Sequence, residues 1–291
     1  MIGVELVKLV RRPRTWISLT LTCALPFVVA VFIAVTHLAP PPGQGSAFLY
    51  AVLANGALYP AAALALVLPV FLPVTTAVVA GDAIAGEAAT GTLRYLLARP
   101  VGRTRLLLAK LISVTTYVVL VVVAVTVTAY ATGVLLLGPS HAAAVGQSPA
   151  DAGLAPTAGV APGGAVTSLS GTPLSLLQLA ERTAGAIAFI AVSMLGVAAI
   201  ALFLSTVTSS ALGATLGALA ALVASEILVT LNAAAVIQPY LPTRYWLAWI
   251  DFFRDPIFWR NIDRGLGIQA VYVVVLLGAA WANFSTKDIT A

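Results

Sequence analysis

Apolar residues run along this chain in long blocks, with neither the strict alternation of half-buried strands nor the 3.6-residue stripe of soluble helices. Six blocks approach or exceed the roughly 20 residues needed to cross a hydrocarbon core: 15–38, 57–80, 106–137, 183–204, 209–237 and 266–283. The pattern predicts an all-α polytopic membrane protein of six transmembrane helices, forming one domain over 1–291. Polar positions gather between the blocks. Residues 1–14 mix Ile2, Val4, Leu6, Val7, Leu9 and Val10 with Glu5, Lys8 and Arg11, which predicts an elbow helix lying along the membrane face. Residues 81–105 carry Ile84, Leu93, Leu96, Leu97 and Val101 near helical spacing among charges, which predicts a second short amphipathic helix ending at Pro100. Pro60, Pro69 and Pro73 interrupt the second block, so a bend is expected there.

Composition narrows the class. The chain is 60% hydrophobic and 9% charged, and a soluble domain carries about a quarter charged residues. A soluble enzyme is excluded. Cys23 is the one cysteine and His37 and His141 the two histidines, so neither a disulfide framework nor a Cys/His zinc site is expected. The first block is too long for a secretory signal core, so it is read as a retained anchor. No Gly-x-x-x-x-Gly-Lys-[Ser/Thr] phosphate loop occurs, so any nucleotide energy has to come from a partner.

The placement of the basic residues sets an orientation. Lys8, Arg11, Arg12 and Arg14 precede the first block, and Arg94, Arg99, Arg103 and Arg105 follow the second. The positive-inside bias puts both segments, and with six spans both termini, in the cytoplasm. Segment 138–180 has Asp151 as its only charge before Pro173 and is rich in Ala, Gly, Pro, Ser and Thr, which predicts a flexible outer loop. Arg244, Arg254, Arg260 and Arg264 run against the bias on the outer side, interleaved with Asp251, Asp255 and Asp263.

The cytoplasmic segment carries an ordered motif: Glu87, then Gly91-Thr92-Leu93, Arg94, Leu96-Leu97, Pro100-Val101 and Arg103, followed by Lys110 in the next span. It resembles the signature of the type-2 ABC exporter permeases, which join a Glu, a Gly-Thr-Leu, a Leu-Leu, a Pro-Val and an Arg in this order before a Lys. Two positions depart: Ala88, Ala89 and Thr90 replace a further acidic residue of many members, and Gly102 replaces a Ser. The resemblance implies a permease subunit of an ATP-binding cassette exporter in a bacterial plasma membrane. It implies assembly with a second permease, identical or related, and two cytoplasmic ATPase subunits that hold the ATP and Mg; this chain itself would hold no cofactor and bind no nucleic acid. Segment 84–97 would be the coupling helix seated in the ATPase, and the cargo a lipid, drug or other amphipathic molecule.

Other features suggest path or interface. Glu226 lies deep in the fifth block, where a central charge costs about 2.5–3.5 kcal/mol on insertion scales, so it should face protein or water, either on the translocation path or at a proton-linked site, or as a protonated or hydrogen-bonded carboxyl near the outer end. Ser209, Gly213, Gly217, Ala221 and Ser225 recur every four residues and permit close helix approach, within the chain or at a permease dimer interface. In 239–265, Tyr245, Trp246, Trp249, Phe252, Phe253, Phe258 and Trp259 should settle at headgroup level as interfacial or re-entrant helices. Two alternatives from other classes are an ion-coupled secondary transporter protonated at Glu226 and a membrane anchor that moves nothing.

Overall fold

The computed structural model describes residues 2–36, 56–91, 102–137, 166–170 and 172–286. Eight α-helices account for most of them: α1 (Ile2–Arg11), α2 (Pro13–Thr36), α3 (Tyr59–Val67), α4 (Phe71–Ala89), α5 (Arg103–Leu136), α6 (Leu176–Val207), α7 (Ala211–Thr230) and α8 (Trp259–Thr286). Among the described residues, six helices are long and apolar enough to cross a membrane, namely α2 and α4 to α8. The all-α, six-span architecture expected from the hydrophobic blocks is therefore present.

The second block is not one bent helix. It divides into α3 and α4, and the crossing-length helix starts at Phe71 and runs on to Ala89, nine residues past the expected end at 80. Proline chemistry accounts for the break: Pro69 lacks the N–H that would continue α3, while Pro73 falls in the first turn of α4, where no intrahelical donor is required. Ile84 and Glu87 thus belong to the membrane helix and not to a separate amphipathic one. The helix stops where Gly91 adopts φ 71°, a left-handed conformation that glycine takes without steric cost. Residues 92–101, which hold Thr92, Leu93, Arg94, Leu96, Leu97, Pro100 and Val101, lie outside the described residues.

Helix α6 is the hub and packs against α4, α5, α7 and α8, whereas α5 packs against α1, α2 and α3. Away from the aromatic end the core is largely aliphatic, with Leu64, Val122, Ile190, Met194 and Leu202 among its buried side chains. Between α4 and α6 the contact is chemical as well as steric. The Ser205 hydroxyl accepts from the backbone N–H of Ile84 (3.1 Å) and Ala85 (2.8 Å) and donates to the Gly81 carbonyl (2.7 Å). A neighbouring side chain is thereby inserted into the hydrogen-bond ladder of α4. The same turn touches α7, because a Cβ on Gly81 would fall 2.6 Å from Thr215 Oγ1.

At the end opposite α1, the aromatic segment folds inward. Residues Trp246–Phe253 form an eight-residue 3-10 helix that packs on α6 and α8. Trp246, Trp249, Phe252 and Phe253 are buried, while Tyr240, Phe258 and Trp259 stay exposed. Four of the seven aromatics expected at headgroup level are therefore packed inside the protein, Tyr245 is half-buried, and Phe258 and Trp259 remain on the surface. Part of the segment expected to be a flexible loop is also ordered: β1 (Val166–Thr167) pairs antiparallel with β2 (Pro173–Leu174). Asp255 anchors this hairpin by accepting from Thr172 Oγ1 (2.8 Å) and donating its N–H to Ser170 Oγ (3.0 Å). Arg182 and Arg254 meet Asp255 and Asp251 at 3.5 and 3.0 Å, so two of the arginines at this end are neutralised locally.

Candidate functional site

The densest group of charges sits where α1 lies against α4 and α5. Lys110, in the second turn of α5, is 3% exposed despite its apolar surroundings. It reaches Glu5 Oε2 on α1 at 2.9 Å and Glu87 Oε1 on α4 at 2.5 Å. Lys8 closes the ring, with Nζ 3.0 Å from both Glu5 Oε1 and Glu87 Oε1. Two carboxylates and two ammonium groups therefore cancel inside the protein. Such a group persists only while it stays complete, because burying a charge without its counter-charge costs several kcal/mol.

The local sequence explains the placement. Glu5, Lys8, Leu9 and Arg12 follow one another at helical spacing and form the inward face of the α1 elbow, while Val4, Val7 and Val10 point away. Burial opposes ionisation of Glu5, but hydrogen bonds and charge from Lys110 and Lys8 outweigh it and hold the carboxyl below its ordinary value of 4.5. Burial likewise opposes the charge on Lys8, and Glu87 and Glu5 outweigh it, raising the ammonium above 10.5. Glu5 and Lys8 are thus each held in the charged form by their partners.

A second ionic group adjoins the first. Asp82 on α4 accepts from Arg12 Nη1 at 2.8 Å and lies 3.1 Å from Arg14 Nη1. Its carboxylate lies over Gly86 one turn on, where a Cβ would come within 2.2 Å of Oδ1. Both groups open on one cavity of about 40 Å³ that is also lined by Thr15 and Ser113, enough room for water. Beyond it Ser18 and Tyr117 hydroxyls meet at 2.7 Å, which extends the polar contact between α2 and α5.

Of the residues singled out from the motif, Glu87 and Lys110 are brought into direct contact, and Gly91 ends α4. Arg103 begins α5 and donates to the Phe284 and Ser285 carbonyls of α8 at 3.2 and 2.9 Å, where a cation also complements the helix dipole. Glu5 and Lys8 complete the group but carried no motif signal. Their clue was a lone Lys110 inside an apolar block, which demands a buried anion.

The fifth-span candidates lie elsewhere. Helix α7 ends at Thr230 and not at 237, so Glu226 is one turn from its end rather than deep in the span. It is exposed on a face with Leu212, Leu216, Val223 and Ile227 and makes no ion pair among the described residues. The small-residue stripe divides. A Cβ on Gly217 would meet Leu204 of α6 at 3.1 Å, an intramolecular contact, whereas Gly213 is exposed and gives its N–H to the capping Ser210. Among the described residues no cluster of His, Cys, Asp and Glu could hold a metal.

No curated protein matches the chain. A family model described as an ABC-2 family transporter protein matches residues 1–148, a span that includes α1 to α5 and every member of both ionic groups.

Proposed function

Because the chain belongs to the ABC-2 transporter family, and is therefore a multi-pass membrane subunit that works with an ABC ATPase subunit, we propose that the ionic end is where the ATPase stroke enters the membrane domain. Segment 92–101 leaves α4 just after Gly91 and returns to α5 just before Gly102. In this reading it is the coupling element seated on the ATPase, with Leu93, Arg94, Leu96 and Leu97 supplying the contact. The observation that carries the proposal is the Glu87–Lys110 pair: it clamps the two stalks of that segment to each other and, through Glu5 and Lys8, to α1. Force on the segment then moves α4 and α5 as a unit.

The rest of the mechanism follows from the same reading. The clustering of Lys8, Arg11, Arg12, Arg14, Arg103 and Arg105 at the α1 end supports a cytoplasmic location for that end and for both termini. Two copies of the permease, or this chain and a related one, would meet along the exposed face of α7, on which Gly213 permits close approach. Glu226, on that same face, would then look into the space between the subunits instead of into lipid. The assembled complex is an ATP-driven exporter of a lipid, drug or other amphipathic substrate in a bacterial plasma membrane. ATP and Mg are bound by the two ATPase subunits, and this chain performs no catalysis of its own.

The test is co-purification with the partner ATPase and measurement of its stimulated hydrolysis. Leu97→Asp and Arg94→Glu are expected to abolish both association and stimulation. Unchanged association and unchanged stimulation in both variants would overturn the assignment. Glu226→Gln is expected to slow transport while leaving ATPase association intact.

A further inference from the structure

Helix α1 is inside out by the standard of a soluble protein. Its inward face carries the buried Glu5 and Leu9 and the half-buried Lys8, with Arg12 just past its end, and its exposed face is apolar, with Val4, Val7 and Val10 each more than half accessible. An apolar stripe turned outward, beside a helix of crossing length, needs an apolar cover, and acyl chains at the membrane face supply one. The Trp16 indole donates to the Val10 carbonyl at 2.7 Å, which bridges the junction of α1 and α2 and keeps the ring, 53% accessible, beside it. Indole rings in that position belong at headgroup depth.

The charges around the elbow do not balance. The Glu5, Lys8, Glu87 and Lys110 group is neutral by itself, and Asp82 is a single carboxylate shared by Arg12 and Arg14. Arg11 is exposed and forms no ion pair among the described residues. Two guanidinium charges are in excess: Arg11 is exposed beside the valine stripe, and Arg14, more than half of whose side chain is exposed, shares Asp82 with Arg12. A shallow groove lined by Val4, Val7, Arg11, Arg12 and Pro13 joins the apolar and cationic parts. Guanidinium forks suit phosphate oxygens, and the valines suit the chain that follows them.

We propose that the α1–α2 elbow is a binding site for an anionic phospholipid, its phosphodiester held by Arg11 and Arg14 and its acyl chain laid along Val4, Val7 and Val10. The site is independent of the coupling role assigned above, because its occupant is a lipid whether or not an ATPase is attached.

The full chain is reconstituted in vesicles containing phosphatidylglycerol and phosphatidylcholine, gently re-extracted, and the retained lipid measured by native mass spectrometry. The wild type is expected to retain phosphatidylglycerol selectively. Arg11→Gln and Arg14→Gln should each reduce that retention about fivefold, Arg11→Lys should keep most of it, and Arg264→Gln at the opposite end should change nothing. Retention that is unselective, or equally reduced by the Arg264 variant, overturns the proposal. So does an outcome in which the elbow variants keep their lipid but lose the ATPase, since the face would then be a protein contact. Raising the salt during extraction supplies a check without mutation: a headgroup held by exposed arginines is released.

Discussion

The two ends of the bundle are closed by different physics. At the α1 end, three elements are joined through three buried charges and the half-buried Lys8, whose attraction offsets the cost of burial only while each keeps its partners. At the other end, Trp246, Trp249, Phe252 and Phe253 fill the space between α6 and α8, and an exposed clasp of Thr172, Asp255 and Arg182 pins the hairpin over them. Aromatic packing tolerates displacement because it scales with buried area and has little directionality. An ionic ring does not: it is complete or it is costly.

Several substitutions break or sharpen the contrast. The largest effect is expected from Lys110→Ala, which leaves Glu5 and Glu87 to share the half-buried Lys8; about 3–5 kcal/mol of stability should be lost, read as a lower thermal midpoint in detergent and faster trypsin cleavage near Arg11 and Arg14. Trp249→Ala should cost about 3 kcal/mol by opening a cavity at the aromatic end, yet leave cleavage at the elbow unchanged. Combining Lys110→Met with Glu87→Gln should recover about 1–3 kcal/mol relative to the sum of the single variants, whereas pairing Trp249→Ala with Lys110→Met should be additive. Asp255→Asn, at an exposed pair, should cost less than about 1 kcal/mol and mainly increase hydrogen exchange in 166–174.

The pH response is the smallest expected effect within the working range. Glu5 has a folded pKa below its ordinary 4.5, so its contribution is present above that value and is lost as pH falls through the folded one. Lys8 has a folded pKa above 10.5, so its contribution is present below 10.5 and is lost as pH rises through the folded one. Attachment of α1, followed by hydrogen exchange of Ile2–Arg11, should be flat between these limits and decline in acid first. A midpoint near neutrality would show that the ring is not fully charged.

Much of the scaffold was legible because hydrophobic blocks report directly on the medium around a helix. The block pattern specified six crossings, and Pro69 and Pro73 marked the break between α3 and α4. What escaped was set by partners distant in sequence. Glu87 meets a lysine 79 positions away on α1, and no periodicity encodes that. The inward turn of Trp249 depends on a 3-10 helix whose side chains repeat every three residues, a spacing that reads equally well as an interfacial belt. The end of α7 was misplaced because the apolar composition continues through Ala233 to Ile237, after the helix has broken into single 3-10 turns. Order in 166–174 comes from Asp255, which lies more than eighty residues beyond the hairpin.

Ser205 has one more consequence. A hydroxyl that completes three backbone valences of a neighbouring helix acts as a rivet: sliding α4 along α6 would shear α4's own ladder. A shift of α4 is therefore tied to α6, the helix on which the aromatic segment at the far end also packs.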